Sequence, residues 1–362
     1  VPKRRTTHVA YERNKMPAPE LRIGNRTAYL RKAIRTPDFQ SESVLTRDAF
    51  QFAELWLRRN CREALPFWRQ AANYYSASRN LPAVSAPLTS YYCFLNATKA
   101  LLTVKGVAFS ERHGVSGEFN PAAKRVLSNE VVKIQSAGIM TALSSYMEEP
   151  ETQNEHALTD LLANLPFIHR SYRHTFKSQK ELFIPVRNVV YRKHPTDDYV
   201  WFTAEIVGRF ADKRSLRTLP PRFEVDAGYD DRCVIRTKKR IKWFRRGTPK
   251  ASKAQALARL NTLHRSVRLD LSFISAPLDL WYLRREVSGN SIIRRYGMTM
   301  IMAIMHRLSE LSRYDPKGLS GHLDGQANWL LTEFIQLAPA QFIDEIICEM
   351  TSLEFRLPGV RP

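Results

Sequence analysis

The residues best suited to chemistry gather where an apolar helix ends. Glu111, Arg112 and His113, followed by Gly114 and Gly117, form a short polar loop. It comes after a helix predicted to begin at Pro87 and stop at Gly106, since proline suits a first turn and glycine a left-handed last one. On that helix Asn96 and Lys99 lie one turn apart and share a face. With Arg112 and His113 they make either a polar pocket for a phosphate or nucleotide, or a buried hydrogen-bond network tying loop to helix. The second candidate is electrostatic. Arg236, Lys238, Lys239, Arg240, Lys242, Arg245, Arg246 and Lys250 follow one another with no acidic residue between them, and Trp243 and Phe244 sit inside the run. Cations at that density track phosphate, and interleaved rings offer faces on which bases rest. A solvated strand and linker would carry the same pattern.

Composition sharpens the electrostatic argument. The chain has 362 residues, with 56 Lys and Arg against 35 Asp and Glu, a formal charge of +21. Such a balance favours polyanionic partners: nucleic acid, a nucleotide, or an acidic protein surface. No apolar run approaches the roughly 18–20 residues that span a bilayer, so no membrane partner is expected. Four cysteines lie far apart without a CxxC pair, which predicts a reduced, cytoplasmic chain. His169 and His174 lack a third ligand at metal-binding spacing. There is no P-loop, GxGxxG, HExxH or nucleophile elbow, so neither metal nor cofactor is expected.

The elements that must position these residues read as mainly α with a small antiparallel β insert, an α+β chain in four parts. A basic N-terminal arm covers 1–40 and a helical region 41–165. A β-rich insert covers 166–248 and a C-terminal helical region 249–362. Thr46-Arg-Asp-Ala offers a helix N-cap before the apolar face of Phe50, Ala53 and Leu57. Branched and aromatic runs at Leu182–Tyr191, Tyr199–Val207 and Cys233–Thr237 predict three to five strands. Helices are predicted over Ala254–Ser266, Ile274–Glu286, Asn290–Tyr314, Gln326–Leu337 and Pro339–Leu353.

Several of these stretches match a known pattern. Trp56, the Phe67-Trp-Arg-Gln-Ala-Ala-Asn-Tyr-Tyr run, Tyr91-Tyr-Cys-Phe-Leu-Asn-Ala-Thr-Lys-Ala and His113-Gly resemble the YaaC-like family. The block Met305…Leu308-Ser-Glu-Leu-Ser-Arg-Tyr-Asp-Pro resembles that family's second signature, and the two bracket roughly 45–355. The first helical part also resembles a HEPN-type bundle, which implies a HEPN-like helical fold there and a C-terminal helical bundle. That likeness implies a nucleic-acid- or nucleotide-binding module, with a role in bacterial stress or phage defence by analogy. It also raises a metal-independent ribonuclease, in which a His moves the proton of a ribose 2′-hydroxyl and a nearby Arg holds the phosphate. The candidate pairs are Arg187 with His194, Arg259 with His264, and the adjacent Arg112 and His113. A third expectation is a non-enzymatic subunit that docks an acidic protein or a second copy of itself.

Overall fold

Where the sequence alternates branched and aromatic residues, the chain forms a sheet larger than an insert. In the computed structural model, residues 17–119, 124, 126–244, 249–276, 280–289 and 291–356 are described. Seven strands lie in the order Leu271–Ile274, Leu280–Arg284, Phe183–Lys193, Tyr199–Ile206, Val234–Thr237 and Phe223–Val225, with Ile241–Lys242 also pairing to Tyr199–Ile206. The register around Tyr199–Ile206 is antiparallel on both sides, Tyr191 facing Phe202 and Ile235 facing Ala204. The helix Lys250–Arg268 turns Ala256, Leu260, Leu263 and Val267 into the same core, at the spacing of one helical face. Residues from Leu21 to Phe39 complete it, and Leu30 N–H donates to the Val189 carbonyl. These pieces make one compact unit, residues 1–41, 183–273 and 280–287.

The second unit holds 42–182, 274–279 and 288–362. Its centre is the helix Ala86–Val104, buried on nearly every face, with Leu65–Ser78, Gly297–Tyr314 and Asn328–Thr351 packed around it. Phe94 stacks on Phe342 at 4.2 Å. Gly106 closes the central helix at φ +64°, and Val107 N–H reaches back to the Leu102 carbonyl. Strands Val115–Phe119, Glu130–Ile134 and Glu155–Ala157 form a separate antiparallel sheet in this unit.

The mainly α expectation, a HEPN-like bundle with a small insert, is corrected. The described residues are 47% helical and 18% strand, and the seven-stranded antiparallel sheet is a substantial body. One local feature explains the extra strand, and Pro339 separately moves a helix boundary. The run Leu280-Trp-Tyr-Leu-Arg is too short and too apolar for periodicity to separate strand from helix, and it pairs as a strand with Phe183–Val186. Pro339, expected to split two helices, lies inside the single helix Asn328–Thr351. It removes one backbone donor, but its neighbours Ala338, Gln341 and Phe342 are buried and hold the helix in place. Within the stretch Thr46-Arg-Asp-Ala the cap of this unit's helix Ala49–Asn60 is Asp48, whose side chain accepts from Phe50 and Gln51 N–H.

Candidate functional site

In the sheet unit a cavity of about 610 Å³ opens between the segment 237–242 and one stripe of the helix Lys250–Arg268. That size falls in the range of roughly 300–1,000 Å³ typical of small-molecule sites. Period-two alternation arranges its wall: Ile241 is buried, Lys242 exposed, Trp243 buried. Ile241 and Leu263 supply apolar surface, and Lys238, Lys239, Lys242 and Arg259 supply charge. No carboxylate lines the cavity among the described residues. Both ends are braced. Arg259 Nε donates to the Lys242 carbonyl at 3.0 Å. Arg222 donates to the Ser266 carbonyl, pairs with Asp270 at 2.6 Å, and its own carbonyl accepts from Lys238 N–H at 2.8 Å.

The basic run therefore divides. Among the described residues Lys238, Lys239, Lys242 and Arg259 have no carboxylate partner. Arg236 pairs with Glu224 at 2.9 Å and Asp226 at 3.6 Å, and the Arg240 guanidinium lies over the Trp201 ring. Trp243 and Phe244 stack on each other at 4.8 Å, but Trp243 is buried in the sheet core and Phe244 packs against it. They are core residues, not an exposed stacking platform. Lys250 is exposed and opens the helix, outside the cavity wall. Arg245 and Arg246 lie outside the described residues.

In the pairs Arg187/His194 and Arg259/His264 suggested for proton transfer, the partners are engaged elsewhere or buried. Arg187 sits in a strand at a bulge, where Asn188 adopts φ +51°, and both donate to Glu205. Burial opposes ionisation of Glu205, yet those hydrogen bonds outweigh it and hold the carboxyl below its ordinary range. His194 is buried and accepts Asp197 N–H on Nδ1. His264 is wholly buried between the Tyr191 hydroxyl and the Ala33 carbonyl, and burial lowers its imidazole to about 3. Arg259 instead faces the cavity.

The pocket expected from Asn96, Lys99, Arg112 and His113 also rearranges. Asn96 is buried and donates to the Tyr92 carbonyl, Lys99 is ion-paired with Glu111, and Arg112 is exposed. His113 keeps different company. Its ring lies 5.3 Å from Tyr91 and 5.7 Å from His306, and Tyr91 meets His306 edge-on at 4.8 Å. Burial, then the neighbouring His113 and Arg307, lowers His306 to about 3. Burial, followed by Arg313 and Lys99, also lowers His113. His306 Nδ1 stands 3.8 Å from the Glu310 carboxylate, and the buried Tyr91 hydroxyl has no hydrogen-bond partner among the described residues. Gly114 holds the loop in place: φ is +76°, and a Cβ there would fall 2.9 Å from Gly138 Cα.

A model of the YaaC-like protein family matches residues 28–350. The chain belongs to the YaaC-like family. No curated protein and no solved structure matches it. In this YaaC-like chain the two stretches that carry the resemblance meet in space. Tyr91 and His113-Gly come from one, and Glu310 and Arg313 from the other, with His306 beside it. His306 and Glu310 are four apart on one helix, a spacing visible in the sequence. Their approach to His113 links positions far apart in the chain and had no local signal.

Among the described residues, no helix is long and apolar enough to cross a membrane. No group of three or more His, Cys, Asp or Glu residues is placed to hold a metal ion among those residues either.

Proposed function

We propose that this YaaC-like protein is a nucleic-acid- or nucleotide-binding module that contacts phosphate through the basic cavity of its sheet unit. One observation carries the reading: Lys238, Lys239, Lys242 and Arg259 surround a braced cavity that has no carboxylate in its wall among the described residues. Grouping like charges around one concavity raises the local potential, and an incoming phosphate releases that repulsion. The neighbouring arginines that are neutralised internally show that the fold has carboxylates to give, and the lysines are left without them.

Anisotropy of a labelled single-stranded oligonucleotide, RNA or DNA, tests this at low and at physiological salt. Binding at low salt that weakens steeply as salt rises supports phosphate contact. Absence of binding at low salt, by the oligonucleotide and by a mononucleotide alike, rejects it.

A further inference from the structure

The cavity's shape and hydrogen bonding narrow its ligand. Ala258 is exposed in the cavity wall beside the buried Ile241 and Leu263, and gives a flat base apolar surface to lie against, while the lining lysines and Arg259 offer charge to its phosphates. Three hydroxyls also line the wall, but each already donates its proton to a backbone carbonyl. Thr262 gives its proton to Ala258, Ser266 to Leu263, and Thr237 to Lys239. A wall of that kind grips a base without reading its edge by donated hydrogen bonds. The buried Trp243 offers no exposed face along which successive bases of a strand could stack.

We infer that the cavity takes a single nucleoside polyphosphate, held by its phosphate chain and indifferent to its base. This rests on the phosphate-binding reading above and goes further, naming one nucleotide in place of a strand. Lys238 and Lys239 are adjacent, exposed and without an acidic partner among the described residues, so a second and third phosphate each find a cation. The terminal nitrogens of Arg259 complete the clamp, because its Nε is fixed on the Lys242 carbonyl.

Calorimetric titration of the full chain with AMP, ADP, ATP, GTP and inorganic triphosphate tests the inference. Affinity is expected to rise from AMP through ADP to ATP by about tenfold a step, the strength of a charge-assisted phosphate contact. ATP and GTP should bind alike, and inorganic triphosphate about tenfold more weakly than ATP for want of a base. Lys238→Ala with Lys239→Ala should abolish the gain from added phosphates. Thr262→Trp, at an exposed helix position, should fill the cavity and block ATP without altering the melting temperature. Equal affinity for AMP and ATP overturns the inference, as does ATP binding that survives both sets of substitutions. If the oligonucleotide binds and no mononucleotide does, the inference fails and the phosphate-binding reading stands. If neither binds, both fail.

Discussion

Two sets of cations, one in each unit of this protein, do different work. In the helical unit Arg295 is buried and meets Glu149 at 2.9 Å, the Gln153 carbonyl and the Ser144 hydroxyl. Arg307 is held by Glu130 at 2.7 Å and Glu310 at 3.0 Å, and His322 closes on the other oxygen of Glu130. Those arginines are structural: each substitutes protein acceptors for the water it lost. The lysines at 238, 239 and 242 of the sheet unit are exposed and have no such acceptors among the described residues. A net charge of +21 counts both kinds equally. Partnership, not number, separates a cation that holds the fold from one left for a ligand.

The contrast breaks most easily at Glu130. Removing a buried carboxylate leaves Arg307 uncompensated, so Glu130→Ala should cost about 3–5 kcal/mol of unfolding free energy in urea. Unchanged stability would mean that the buried network is ornamental. Acid comes next. His264 in the sheet unit and His306 in the helical unit are neutral when folded, with values near 3, and each regains an ordinary value near 6.5 when unfolded. The unfolded chain therefore binds more protons below that value. Stability should be complete above pH ~6.5 and fall as pH drops toward ~3, by about 2 kcal/mol per histidine at pH 5. His264→Gln should flatten that fall in a series of melts across pH, and an unaltered profile would contradict the assignment.

Smaller effects sharpen the comparison. Gly114→Ala forces a side chain onto the Gly138 backbone at positive φ, and about 1–3 kcal/mol of destabilisation is expected by thermal melting. Lys238→Ala and Lys239→Ala should change stability by less than about 0.5 kcal/mol, because both side chains are exposed and have no carboxylate partner among the described residues. A larger loss would show that these lysines, too, belong to the scaffold.

How much of this was visible beforehand depended on distance along the chain. The cations at 236–242 could be read from the sequence, and so could the stop at Gly106, because both signals are local. Its place among cations suggests an exposed Trp243 ring, but the alternation of Ile241, Lys242 and Trp243 along an extended segment turns it inward. Nothing local said that Arg236 would find Glu224 on the adjoining strand, or that Arg222 would find Asp270. The sheet itself was underestimated because Leu271–Ile274 and Leu280–Arg284 are short and apolar, and only pairing makes them strands. His306 was passed over because its partners, Tyr91 and His113, approach it through tertiary packing.

The most direct test is the salt dependence of oligonucleotide binding for the natural chain beside Lys238→Ala/Lys239→Ala/Lys242→Ala. If these amines meet phosphate, the triple variant should bind more weakly, and its log-affinity against log-salt slope should be shallower by about 2 for a single strand. An identical slope and affinity in both proteins would place phosphate recognition elsewhere and contradict the account.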